Sequence, residues 1–195
     1  MSFIAVDMGS SFTKAALLDA CGVVIEKQEP TQSALPAGNG RYEIDADAYF
    51  HQVAALIDAF ADTHDDVEGI LFSTQMHGYV LTDPCFAPIT PYVSWQDQLG
   101  ALHLPQVRQT YSAADVAPSG VPLKGNLALC SLLARMDSGY VIPKGTLFHT
   151  LGGYIIARLT GQHTCLSPMP RPPVWLTYVS APGTPRCSAR LTLHI

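Results

Sequence analysis

Asp7-Met8-Gly9-Ser10-Ser11-Phe12-Thr13-Lys14 is the stretch whose reading decides the fold. The apolar run before it reads as a strand that delivers a carboxylate, Asp7, to a tight turn. Gly9, Ser10 and Ser11 are small enough for backbone amides and hydroxyls to come close to a phosphate, and Lys14 arrives on the next strand with a positive charge. This layout suits a metal nucleotide: Asp7 would hold Mg²⁺ through water, while Ser10, Ser11 and nearby amides would face the β- and γ-phosphates and Lys14 would add positive charge. Alone, the same residues also describe an ordinary hairpin turn with a solvated lysine.

Reading outward from the turn, Ser2 to Met8, Ala15 to Leu18 and Val23 to Gln28 are three short strands, with Ala20-Cys21-Gly22 as the second turn. Asp45 to Ala61 is helical, with Asp45 or Asp47 as N-cap. Its apolar stripe runs through Tyr49, Val53, Leu56, Ile57 and Phe60 at spacings of three and four. Gly69 to Ser73 reads as a buried strand entering Thr74-Gln75-Met76-His77-Gly78. Short strands follow at Tyr79 to Leu81 and Pro91 to Trp95, and helices at Leu99 to Thr110, Ala128 to Met136 and Leu147 to Leu159. Three strands, a crossover helix and a further strand begin an α/β sheet with a mixed edge. Thr31 to Arg41 reads as a flexible loop, and His64-Asp65-Asp66 as a solvated linker.

Composition narrows the function classes. In 195 residues, 48% are hydrophobic and 14% charged, the balance of a globular chain with a core. A net charge of −5 with no basic run argues against nucleic acid as a partner. No apolar run reaches membrane-spanning length, and the amino terminus lacks the pattern of a signal peptide. The five cysteines are scattered without a Cys-x-x-Cys pair, which points to a reduced cytoplasm. The charge is unevenly spread. Residues 1–165 hold all 16 acidic residues against eight of the 11 basic ones, whereas 166–195 hold three arginines, no acid and six of the 15 prolines. Ser167 to Pro173 cannot be a helix or a central strand, because proline removes the amide donor. Val174 to Val179 has strand-like composition without an obvious partner. A boundary is therefore expected near residue 165, between a domain over 1–165 and a Pro/Arg-rich tail over 166–195.

Four ordered stretches resemble the FGGY family of carbohydrate kinases. They are Asp7-x-Gly9-Ser10-Ser11-x-x-Lys14, Ser73-Thr74-Gln75-Met76-His77-Gly78, Ser94-Trp95-Gln96-Asp97, and Gly153 to Gly161. Gln-Met-His-Gly after a buried strand looks like xylulokinase and its closer relatives, and the resemblance spans about residues 3–164. It implies the amino-terminal domain of an actin-like, ribonuclease H-like ATPase fold: α/β, with a mixed sheet and flanking helices. It implies transfer of the ATP γ-phosphoryl group, with Mg²⁺, to a hydroxyl of a small-molecule sugar, a xylulose-like ketopentose being favoured. Met76 would pack on an apolar face of the sugar and His77 would hydrogen-bond a hydroxyl. Gln75 would contact the sugar or brace the loop, and Asp97 would border the pocket. Trp95 reads as core rather than pocket wall. The family usually carries arginine two positions after that aspartate, whereas this chain has Leu99. Gly120-Val121-Pro122-Leu123 resembles a stretch that positions a helix.

The general base, the second phosphate loop and the adenosine pocket of the family belong to a second domain, and no residue here is assigned as the base. The expectation is thus a sugar-binding lobe that is inactive alone. The alternatives are a non-catalytic sugar- or nucleotide-binding module and a structural member of the actin-like group. A homodimer is compatible with each. The abrupt change of composition after Cys165 is what a shifted reading frame in GC-rich DNA would produce. That expectation is checked by translating the nucleotides beyond codon 165 in the other two frames, and the absence of a kinase-like continuation in both refutes it.

Overall fold

The computed structural model describes residues 1–36, 38–116, 123–163 and 177–180. Strands β1 (Ser2–Met8), β2 (Phe12–Asp19) and β3 (Gly22–Pro30) form an antiparallel meander. The alternation in β1 and β2 decides which face is buried. Ile4, Val6, Met8, Ala15 and Leu17 point to one side and are buried, whereas Asp7 and Lys14 point to the other. β4 (Glu43–Ile44), too short to stand out in the sequence, precedes helix α1 (Ala46–Ala61). The Asp45 carboxylate accepts the Ala48 amide at 2.9 Å, which settles the N-cap in favour of Asp45. Asp47 pairs instead with Arg158. The stripe Tyr49, Val53, Leu56, Ile57 and Phe60 is buried on the sheet as its spacing predicts.

After α1 the chain enters β5 (Val67–Thr74), which pairs parallel with β1, so that the five-stranded sheet has the order β3-β2-β1-β5-β9. β9 (Thr177–Ser180) lies antiparallel to β5, with Phe72 opposite Thr177. The strand-like stretch thus has a partner that its composition did not reveal, because pairing at a sheet edge is a long-range property. The Ser167–Pro173 run, Val174–Leu176, Gly120–Pro122 and the boundary near residue 165 lie outside the described residues. His64-Asp65-Asp66 is more than a solvated linker, since Asp66 holds the terminal ammonium and the Ser2 hydroxyl, each at 3.0 Å.

Two small sheets extend the domain. β4 pairs with β7 (Tyr92–Val93), and β6 (Val80–Thr82) pairs with β8 (Leu147–His149). β8 corrects the expected helix over Leu147 to Leu159: Thr150 is extended and its hydroxyl accepts the Gly153 amide, so α5 starts only at Leu151 and runs to Thr160. Gly161, at φ 68°, ends it. The stretch Leu99 to Thr110 divides into a 3₁₀ turn (Leu99–His103) and α2 (Leu104–Thr110), with Pro105 in the first turn of α2 where its missing amide costs little. The short α3 (Ala113–Val116) and α4 (Ala128–Asp137) complete the helices among the described residues. None of these is long and apolar enough to cross a membrane.

One buried group reports on the packing of β6, β8 and α5. His149 is 1% exposed, its Nε2 lies 3.0 Å from the Thr82 hydroxyl, and Nδ1 has no partner among the described residues. Its ring sits 4.8 Å from that of His163 and 6.4 Å from that of Tyr154. Burial, reinforced by His163, lowers its pKa from 6.5 to about 4. The unfolded chain therefore takes up a proton before the folded one does as pH falls. Stability should be full above about pH 6.5 and drop by on the order of 2–3 kcal/mol on the way to about pH 4. Denaturant unfolding at a series of pH values checks this, and His149→Gln should flatten the slope in that window.

Candidate active site

The turn between β1 and β2 sits at the carboxyl end of β1, beside the end of the parallel β5, where α/β folds place ligands. In register across the sheet, Lys14 is level with Asp7 and Asp7 with Ser73. All three are exposed on the face opposite α1, with no ion pair joining Asp7 to Lys14. The turn is tied back on its inner side. The Gly9 amide donates to Phe12 O at 3.1 Å, the Thr31 amide to Ser11 O at 3.0 Å and the Gln75 amide to Met8 O at 3.1 Å. A Cβ on Gly9 would lie 2.9 Å from Phe12 O, so the turn closes only with glycine there. Ser10 and Ser11 stand exposed, with amides and hydroxyls that meet no partner among the described residues. This donor set, one exposed carboxylate flanked by free amides, hydroxyls and a lysine, fits phosphate oxygens and a hydrated Mg²⁺.

The Gln75-Met76-His77-Gly78 loop leaves β5 at the same edge. The hydrogen bond from its Gln75 amide to Met8 O seats Gln75 against the Gly9-Ser10-Ser11 turn, and the side chain follows, with Nε2 3.5 Å from Gly9 O and Oε1 buried. Gln75 thus faces inward, whereas Met76 is 49% exposed and His77 half-buried on the open side. His77 adopts φ 67°, a left-handed conformation uncommon for residues other than glycine. Gly78 lies so close to the Tyr92 ring that any Cβ would overlap it. The antiparallel bridge Tyr79–Val93 then sets this loop alongside Ser94-Trp95-Gln96-Asp97.

Trp95 is 39% exposed and stands at the site, which corrects its reading as core. Asp97 goes the other way: it is 1% exposed, and its carboxylate accepts the Tyr42 and Leu99 amides at 3.0 Å each and the Ser131 hydroxyl at 3.4 Å. It is a brace that gathers three segments under the loop. Leu99, the departure from the family's usual arginine, serves Asp97 through its backbone amide. Beneath it, Arg135 pairs with Glu43 in the interior.

Lys124 and Asn126 join the candidate site, and no sequence signal singles them out, because a turn after a Pro-Leu pair has no period. Asn126 Nδ2 donates to Trp95 O at 3.3 Å, and Gly125 packs so closely that a Cβ there would meet Ala101 Cα at 2.5 Å. Lys124 acts on His77: burial first, and this ammonium second, lower the His77 pKa below 6.5. At neutral pH the imidazole is uncharged and can both donate and accept a hydrogen bond.

The family model for the FGGY family of carbohydrate kinases, N-terminal domain, matches residues 2–168, a few residues beyond the stretch read as similar from the motifs. Xylulose kinase of Staphylococcus xylosus is 29% identical over 147 residues, which is 72% of this chain and 27% of that protein. Among solved structures, xylulose kinase from Rhodospirillum rubrum superposes with a TM-score of 0.74 at 22% identity, covering 84% of this chain and 35% of the other. Gluconate kinase from Lactobacillus acidophilus gives 0.73 at 21% identity, covering 83% and 34%. The chain spans about a third or less of the length of these relatives.

Replacing Lys124 by Ala should raise the His77 pKa yet leave it below 6.5, because burial is the larger cause. Titration of the imidazole signals by NMR in both proteins checks this. An unchanged midpoint would remove Lys124 from the site.

Proposed function

The chain belongs to the FGGY family of carbohydrate kinases, and on that premise we propose that it is the sugar-binding lobe of an enzyme that phosphorylates a hydroxyl of a xylulose-like ketopentose. The observation that carries this reading is the hydrogen bond that the Gln75 amide donates to Met8 O, which holds the Met76-His77 loop and the Ser10-Ser11 turn on one rim. Acceptor and phosphate donor can therefore be bound side by side. ATP with Mg²⁺ supplies the phosphoryl group. Asp7 would hold the metal through water, and Gly9, Ser10, Ser11 and Lys14 would hold the phosphates. Neutral His77 would fix one sugar hydroxyl while Met76 and Trp95 cover an apolar face. Asp97, with its oxygens engaged by Tyr42, Leu99 and Ser131, would shape the floor of the pocket. No side chain here is assigned as general base, so sugar binding without turnover is expected of this chain by itself.

The test is calorimetry with D-xylulose, with glycerol as control, alongside an assay for ADP release. Binding of D-xylulose without ADP release is the expected result. His77→Ala should weaken that binding by about fivefold to tenfold, the loss of one hydrogen bond in a partly desolvated site. Unaltered affinity in a folded His77→Ala protein would refute the assignment of the sugar site.

A further inference from the structure

The Gly9 carbonyl oxygen collects donors from three separate elements. Thr31 Oγ1, in the loop after β3, lies at 2.9 Å, Tyr49 OH on α1 at 3.4 Å and Gln75 Nε2 after β5 at 3.5 Å. Thr31 is itself held 3.3 Å from the buried Thr13 hydroxyl, and Tyr49 is fully buried. This concentration on one peptide oxygen has a directional consequence. In a planar trans peptide the C=O and the following N–H point in opposite directions. Holding the Gly9 oxygen inward therefore turns the Ser10 amide outward, to the side where Asp7 and Lys14 are exposed.

We propose that Gln75, together with Thr31 and Tyr49, acts as a positioning residue that sets the Gly9–Ser10 peptide plane, so that the sugar loop and the phosphate-facing amide are ordered as one unit. This rests on the reading of residues 7–14 as a phosphate turn. Gln75 is the coupling member, since its backbone amide holds Met8 O while its side chain holds Gly9 O, and Met76 and His77 follow it directly. Tyr49 acts from the buried face of α1 and Thr31 from the partly buried start of the loop after β3, so a shift of the Gln75 loop is felt at the Gly9 carbonyl. All three side chains reach the Gly9 oxygen, so they act through the peptide.

NMR of the full chain tests the idea with two readouts, the Gly9 carbonyl ¹³C shift and the movement of the Ser10 and Ser11 amide signals on addition of Mg-ATP. In Gln75→Leu and Tyr49→Phe the Gly9 carbon should move upfield as it loses a donor, and the affinity for Mg-ATP should fall about threefold to tenfold, the effect of one hydrogen bond. If Mg-ATP leaves the Ser10 and Ser11 amides of the unaltered chain unmoved, the phosphate reading fails and the proposal with it. If those amides move, yet both variants keep the original Gly9 shift and affinity, the phosphate reading stands and the coupling is overturned. A variant that loses stability while keeping the Gly9 shift likewise overturns it. Tyr49→Phe keeps the buried ring and carries the test should Gln75→Leu fail to fold.

Discussion

Because β1 and β5 run parallel, with Asp7 level with Ser73 and Met8 with Thr74, the chain leaves both strands at the same edge of the sheet. Everything chemical in the domain is organised by that pairing. One strand exits into the Gly9-Ser10-Ser11 turn and the other into Gln75-Met76-His77-Gly78, and neither loop needs length to reach the other. Antiparallel neighbours would have sent the two exits to opposite ends. The crossover through α1 that the parallel pairing requires also brings Tyr49 beneath the turn, so the same connection that satisfies topology supplies a hydroxyl to the Gly9 carbonyl.

The parts legible in the sequence were those with a local period or a local chemistry. The α1 stripe from Tyr49 to Phe60, the β1–β2 hairpin and the Gln-Met-His-Gly loop each carry their signal within a few residues. What escaped depends on contacts made far along the chain. β8 falls inside the helix expected over Leu147 to Leu159, and only pairing with β6 and the Thr150 cap separate the two. Trp95 and Asp97 show the same limit at the site. An aromatic residue next to a carboxylate suggests ring inside and charge outside, yet here the ring is exposed and the carboxylate buried, because three donors from residues 42, 99 and 131 converge on Asp97. Burial of an acid is acceptable when its oxygens are satisfied, and that bookkeeping requires the folded chain.

The two rims of the site differ in how they are stabilised. The Gly9-Ser10-Ser11 turn is held by backbone hydrogen bonds that leave the Ser10 and Ser11 amides without partners among the described residues. The Gln75-Met76-His77-Gly78 rim is held by packing: Gly78 lies against Tyr92, next to His77 in a left-handed backbone conformation. Small changes in side-chain volume therefore bear on this loop, whereas loss of a hydrogen bond bears on the turn.

The close approach of Gly100 and Gly125 welds the 3₁₀ turn to the segment bearing Lys124 and Asn126, and neither position has room for a methyl group. The Lys124 side chain, one residue away, is exposed and makes no ion pair among the described residues. A tightly packed backbone therefore carries an exposed charge that His77 feels. Substitution at residue 124 can turn that charge from cationic to neutral or acidic without disturbing the close glycine contacts beneath it, so the electrostatics of this rim can change while its backbone keeps its form.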